Sequence, residues 1–301
     1  MSLSCSFFGT ARNRLGESPL WDEARQCLWW IDAQAVAPCE GWIHAAHEDG
    51  TPHASWRFAR AVGSIGLTEN GLVAAMADGF YLVDERGEAR QWVACSTHGG
   101  AIRFNDGKAD RTGNFLAGQM ELREGTTPKG ALWCLSRNGL THTLESGLRL
   151  ANAICFSPDN AIIYFADSPE GCIRAHAYDA DRGLLGSRIG TIDCLRFGSI
   201  PDGATVDSDG NLWVALVQSQ AVVCLSPTGR LLHRVDMPVP FPSCPAFGGK
   251  DLDTLFVTTI ADSGRYLRTD HPDAGRIVTV RGLGVRGIAE RRWEMKTEPS
   301  E

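Results

Sequence analysis

The run RFNDGKADRTGNFLAGQM, residues 103–120, sets a guanidinium, an amide and a carboxylate (Arg103, Asn105, Asp106) just ahead of a turn and a second apolar run, FLAG. Taken alone, Asn-Asp-Gly and the Asp110 to Gly113 turn are ordinary hairpin signals. The same form returns along the chain: a polar residue, a short apolar run, a turn residue five places on, then a run rich in aromatic and β-branched side chains. It starts at Glu17 (ESPLWDEARQCLWWID), Ser64 (SIGLTENGLVAAM), Asn105, Asn152 (NAICFSPDNAIIYFAD), Asp202 (DGATVDSDGNLWVAL) and Ser243 (SCPAFGGKDLDTLFVTT). Subtracting these anchor numbers gives spacings of 47, 41, 47, 50 and 41 residues. A period in the forties with about four strands per unit is the signature of a propeller blade.

The expected architecture is therefore all-β: a six-bladed β-propeller of four-stranded antiparallel blades, one domain over residues 1–293. After the sixth anchor only GRIVTVRG and a ragged tail remain, so SCSFFGTAR at the N-terminus is expected to pair into the last blade and close the ring. The tail from Glu294, EMKTEPSE, reads as disordered. GLGVRG, residues 282–287, matches GxGxxG, but too few residues follow it for a crossover helix and second strand, so it reads as a glycine-rich turn.

The totals exclude several classes. A net charge of −7 without a Lys/Arg stripe argues against a nucleic-acid partner. No apolar run approaches the roughly 20 residues of a membrane span, and no basic flank precedes an apolar N-terminal core. A soluble cytoplasmic protein with no membrane partner is expected. The ten cysteines are scattered singly, without CxxC, and read as reduced, mostly buried apolar residues. The histidines are equally dispersed, without HExxH, which argues against a zinc site of His/Cys type.

In a meander blade the innermost strand lines the central axis, so anchors in one register converge. Glu17, Ser64, Asn105, Asn152, Asp202 and Ser243 form a ring of two carboxylates, two amides and two hydroxyls with no Lys or Arg. Such a ring predicts a divalent cation on oxygen ligands, Ca²⁺, Mg²⁺ or Mn²⁺. Two long loops on the anchor side, residues 120–130 and 260–274, are expected to wall a pocket over it.

With LGESPLWD, RFNDGKADRTGNFLAG, ANAICFSPDNAIIYFADS, PDGATVDSDGNLWVAL and, more weakly, PAFGGKDLDTLFVTT in this order, the chain resembles the SMP-30/gluconolactonase/LRE family, which includes regucalcin and the sugar lactonases. The resemblance implies one divalent ion (Ca, Mg, Mn or Zn) held by Glu17, Asn152 and Asp202. It implies substrate contacts from Arg103 and Asn105, with a further loop carboxylate, Glu121 or Glu124. Two departures are visible: Gly118-Gln119-Met120 stands where the family has Gly-Thr-Met, and Asn152-Ala153 replaces Asn-Gly.

The chemistry implied is opening of a sugar lactone to its aldonic acid. The metal polarises the ester, Asp202 doubles as ligand and general base, and Arg103 and Asn105 orient the hydroxyls. No GxSxG elbow supplies a serine nucleophile. Two rivals stand beside this: a non-catalytic calcium-binding propeller, which needs no Arg103, and a phosphotriesterase-like or aryl-ester hydrolase, which prefers apolar pocket walls. Arg103 and the polar long loops lean toward the sugar lactone.

Overall fold

The computed structural model describes residues 3–33, 40–123 and 125–294. β1 (Ser4–Phe8) is followed by β2 (Gly16–Asp22), β3 (Cys27–Ala33), β4 (Gly41–His47) and β5 (Pro52–Phe58), which form the first sheet. The second holds β6 (Val62–Thr68), β7 (Gly71–Met76), β8 (Gly79–Asp84) and β9 (Ala89–Ala94). The third holds β10 (Ile102–Ala109), β11 (Phe115–Glu121), β12 (Gly130–Leu135) and β13 (Thr141–Leu148). β14 (Ala151–Phe156), β15 (Ile162–Asp167), β16 (Cys172–Asp179) and β17 (Leu184–Asp193) make the fourth. β18 (Pro201–Val206), β19 (Leu212–Leu216), β20 (Ala221–Leu225) and β21 (Leu231–Asp236) make the fifth. In the last sheet β22 (Pro242–Gly248), β23 (Thr254–Thr259) and β24 (Ile277–Arg281) are completed by β1, antiparallel to β24 from Ser4 opposite Arg281 to Phe8 opposite Ile277. This is a six-bladed β-propeller whose ring the N-terminal strand closes.

The packing explains the sequence pattern. Each blade is pressed between two others, so its second strand is hidden from water: β7, β11, β19 and β23 are buried along their whole length. The apolar side chains gather at the six blade interfaces. Trp29 and Ile31 meet Ile65 and Leu67 between blades one and two, and Leu116 and Leu132 meet Ile154 and Phe165 between three and four. Closure uses the same device, with Phe8 of β1 against Phe256 and Trp30 at ring-centroid distances of 5.1 and 6.3 Å. The outermost strands face water, and β5, β9, β17 and β21 are largely exposed.

Beyond β24 the chain runs as an irregular strap over the end of the propeller remote from the anchors, and among the described residues the GxGxxG motif is followed by no helix. Its backbone bonds go to several blades: the Arg286 carbonyl accepts from Ser208 N, Gly287 N donates to the Leu252 carbonyl, and Trp293 N donates to the Leu67 carbonyl. Glu290 plugs the channel by pairing with Lys108 of β10 at 3.0 Å, with both side chains at most 10% exposed. Glu290→Ala would strand that lysine in the channel and should cost about 3–5 kcal/mol in urea unfolding. Pairing the mutation with Lys108→Met should recover most of the loss, because no uncompensated charge is then buried. The disordered reading of the tail falls, after Glu294, on residues 295–301, which lie outside the described residues.

Candidate metal centre and active site

Every inner strand breaks register at or beside its anchor: after Glu17, Phe104, Asn152, Pro201 and Pro242, and between Val62 and Ser64. A bulge adds a residue to one strand, raises its twist and re-aims a side chain away from the regular pleat. Two bulges place a non-glycine residue in the left-handed region next to a proposed ligand, Ser18 (φ 47°) after Glu17 and Ala153 (φ 56°) after Asn152. Strain at Ala153 accompanies the departure from Asn-Gly noted in the sequence.

Four of the six anchors reach one cavity of about 270 Å³, where Glu17, Asn105, Asn152 and Asp202 are joined by Arg103. The other two do not. Ser243 donates to the Gly16 carbonyl at 2.5 Å, and Ser64 is fully buried against Gly107, where even a methyl group would lie 2.4 Å from its hydroxyl. The expected ring of six is thus four long side chains at the cavity and two short ones spent between blades.

The amides are oriented by hydrogen bonds. Asn105 Nδ2 donates to the Ala151 carbonyl at 3.0 Å and to Asn152 Oδ1 at 2.7 Å, which uses both its hydrogens and leaves Asn105 an acceptor toward any ligand. Asn152 Nδ2 donates to Ser168 Oγ at 2.9 Å, and Ser168 Oγ donates to the Pro201 carbonyl at 2.7 Å. The oxygen of Asn152 is therefore the atom turned toward Asn105. Arg103 is 2% exposed, and its Nη1 donates to the Phe104 carbonyl at 2.6 Å.

Asp106 supplies a third carboxylate whose place the sequence did not reveal. Its Oδ1 accepts from Gly107 N at 2.8 Å, and its Oδ2 accepts from Ile154 N, in the neighbouring blade, at 2.9 Å. Burial, then Asp202, then Asp106 push the Glu17 carboxyl well above the usual carboxylate range, against the Ser18 N–H and Arg103. Burial and then Asp106 push Asp202 well up too, and burial raises Asp106 against the two N–H groups and Lys108.

A cation fits this set. Glu17, Asp106 and Asp202 against Arg103 and the Arg265 of the wall leave a formal −1, Lys108 being neutralised by Glu290. The donors facing the cavity are carboxylate and amide oxygens, which suit a hard divalent ion. Among the described residues no three His, Cys, Asp or Glu side chains form a metal cluster by themselves, so a cation here would need another oxygen donor, which the amide of Asn152 could supply.

Of the two long loops the second walls the cavity, through Ser263, Arg265, Tyr266 and Leu267, whereas among the described residues the first contributes only Met120, which lies in β11. They are clasped together where Arg265 donates to the carbonyls of Glu121, at 3.0 Å, and Leu122. The Glu121 carboxylate does not line the cavity; it pairs with Arg149 at 3.0 Å, and Arg149 also donates to the Gly125 carbonyl. Glu124 lies outside the described residues. The walls are less polar than the loop sequences suggested, with Leu15, Leu150, Ile200 and Val217 added beside Ile260 at the start of the second loop.

Residues 15–261 match the model of the SMP-30/Gluconolactonase/LRE-like region. The chain belongs to this family. It is 32% identical to the 6-deoxy-6-sulfogluconolactonase of Pseudomonas putida, over 92% of this chain and 94% of that one. It is 30% identical to the regucalcin of Gallus gallus, over 95% and 97% of the two chains. The crystal structure of a calcium-binding protein, regucalcin, from Agrobacterium tumefaciens superposes with a TM-score of 0.83 at 26% identity, covering 94% of this chain and 95% of that one.

Proposed function

We propose that this member of the family is a divalent-cation-dependent hydrolase that opens sugar lactones to aldonic acids. The observation that carries this reading is the convergence of Glu17, Asn152 and Asp202 with a buried Arg103 and an accepting Asn105 at one cavity floor, in a chain related to a named lactonase. A cation held by Glu17, Asn152 and Asp202 would supply Lewis acidity toward the lactone carbonyl. Asp202 takes the proton of the attacking water. Arg103, permanently charged, suits the developing oxyanion and the product carboxylate. Asn105, its hydrogens already committed, accepts from a substrate hydroxyl. Glu121, held by Arg149, acts on the loop rather than on the substrate.

Work in the cytoplasm is part of the proposal. Supporting it, the nine described cysteines are all unpaired, as a reducing compartment requires, and among the described residues no helix is long and apolar enough to cross a membrane.

A calcium binder without catalysis would need the three ligands but no guanidinium beside them. Arg103→Ala separates the two readings. It should keep the cation, read by metal analysis after dialysis, and lose about 10²- to 10³-fold in turnover of gluconolactone. Loss of cation and turnover in equal measure would place Arg103 in the metal centre.

A further inference from the structure

Two residues ahead of each anchor, at the head of the inner strand or in the residue just before it, lies a second ring of different chemistry. Leu15, Val62, Leu150, Ile200 and Phe241 hold this position in five blades and Arg103 in the third. Leu15, Leu150 and Ile200 line the cavity beside Arg103, and Val62 and Phe241 back the same apolar cluster as Leu15 and Ile200. Val217, 3% exposed, and the half-buried Leu267 from the loop continue this collar.

The cavity is thus divided. Its floor has hydrogen-bonding and charged groups for an ester and ring hydroxyls, whereas the collar above it is aliphatic, with Gln218, Ser263, Arg265 and Tyr266 as the polar exceptions in the walls. A hydroxyl buried against such a wall loses its water without finding a partner, while an alkyl group gains by leaving water.

We infer that lactones bearing a short alkyl group on the ring carbon next to the ring oxygen form a second substrate class of this site. They are taken in preference to lactones of the same ring size bearing hydroxymethyl there. The inference rests on the hydrolytic reading above and specifies what the collar adds to it. The reaction is the same addition of water: its oxygen bonds to the carbonyl carbon, the bond from that carbon to the ring oxygen breaks, and the departing oxygen is protonated. Lactone and water give one hydroxy acid, with no oxidant or second substrate.

The test uses the full chain at saturating Mn²⁺, Mg²⁺ or Ca²⁺ with δ-lactones substituted by hydroxymethyl, methyl, ethyl, propyl and butyl, each corrected for spontaneous opening. kcat/KM should rise about fourfold per added methylene until the collar is filled. Titration calorimetry with the matching δ-lactams, which are not opened, should show the same gradient in Kd without relying on turnover. Val217→Thr, close in shape, and Leu267→Ser, on the loop and so tolerant, should each flatten the gradient, lowering the ratio of butyl to hydroxymethyl kcat/KM by about fivefold or more. A flat or falling series in protein that opens gluconolactone would overturn the inference and leave the hydrolase reading intact. No turnover of any lactone with any of these ions would overturn that reading and the inference with it.

Discussion

Asp202→Asn should fold, retain a cation more weakly through the amide oxygen, and lose about 10²- to 10⁴-fold in lactone opening at saturating metal, the usual contribution of a general base. Amide and carboxylate are nearly equal in size, so β18, buried throughout, keeps its packing. The change removes only the ability to take a proton. Acid release, followed at metal concentrations that saturate both proteins and corrected for spontaneous hydrolysis, gives the answer. Near-native turnover would make Asp202 a ligand only, and the base would have to be sought elsewhere at the floor, with Asp106 the first candidate because it faces both Glu17 and Asp202.

Glu17→Gln should weaken cation binding by at least about 10²-fold, since loss even of groups outside the ligand set costs 10- to 100-fold. It should also stabilise the cation-free protein at neutral pH, an opposite effect with the same cause. Burial and facing carboxylates raise both Glu17 and Asp202 in the folded chain. A carboxyl that holds its proton more tightly folded than unfolded contributes stability that is fully present below the unfolded value, about 4, and is lost as pH rises through it toward the folded value. In chelator, the wild type should therefore fall in melting temperature relative to Glu17→Gln/Asp202→Asn between about pH 4 and pH 7. Added cation should reverse the order at pH 7. A wild type that gains on the double variant as pH rises without metal would mean that these carboxylates are not crowded together.

The fold was legible because a propeller writes its architecture into the chain as a period, and the anchors mark where each blade meets the axis. Even the closure by β1 followed from counting strands. The cavity floor was legible by the same logic where the side chain is long, at Glu17, Asn105, Asn152 and Asp202. It was not legible at Ser64 and Ser243, whose short hydroxyls are consumed or enclosed between blades before reaching the axis. Asp106 stood in plain view beside Asn105, but its partner is the Ile154 amide one blade away, and no local pattern announces a bond across 48 residues. The apolar collar was readable in principle from the register two places ahead of each anchor, with Arg103 as its one exception. The C-terminal strap had no periodicity to read, because its backbone bonds go to different blades rather than to a ladder.

Under the proposed function, a divalent ion at the floor of the ring makes the chain a lactonase. The most direct measurement is acid release by purified, dialysed protein from gluconolactone, xylonolactone, galactonolactone and arabinolactone, each with Mg²⁺, Ca²⁺, Mn²⁺ or Zn²⁺ and each repeated in chelator. Opening of at least one lactone well above its spontaneous rate, abolished by chelation and restored by adding back the ion, is the predicted result. Turnover that survives chelation undiminished, or none with any lactone and any ion, would contradict it.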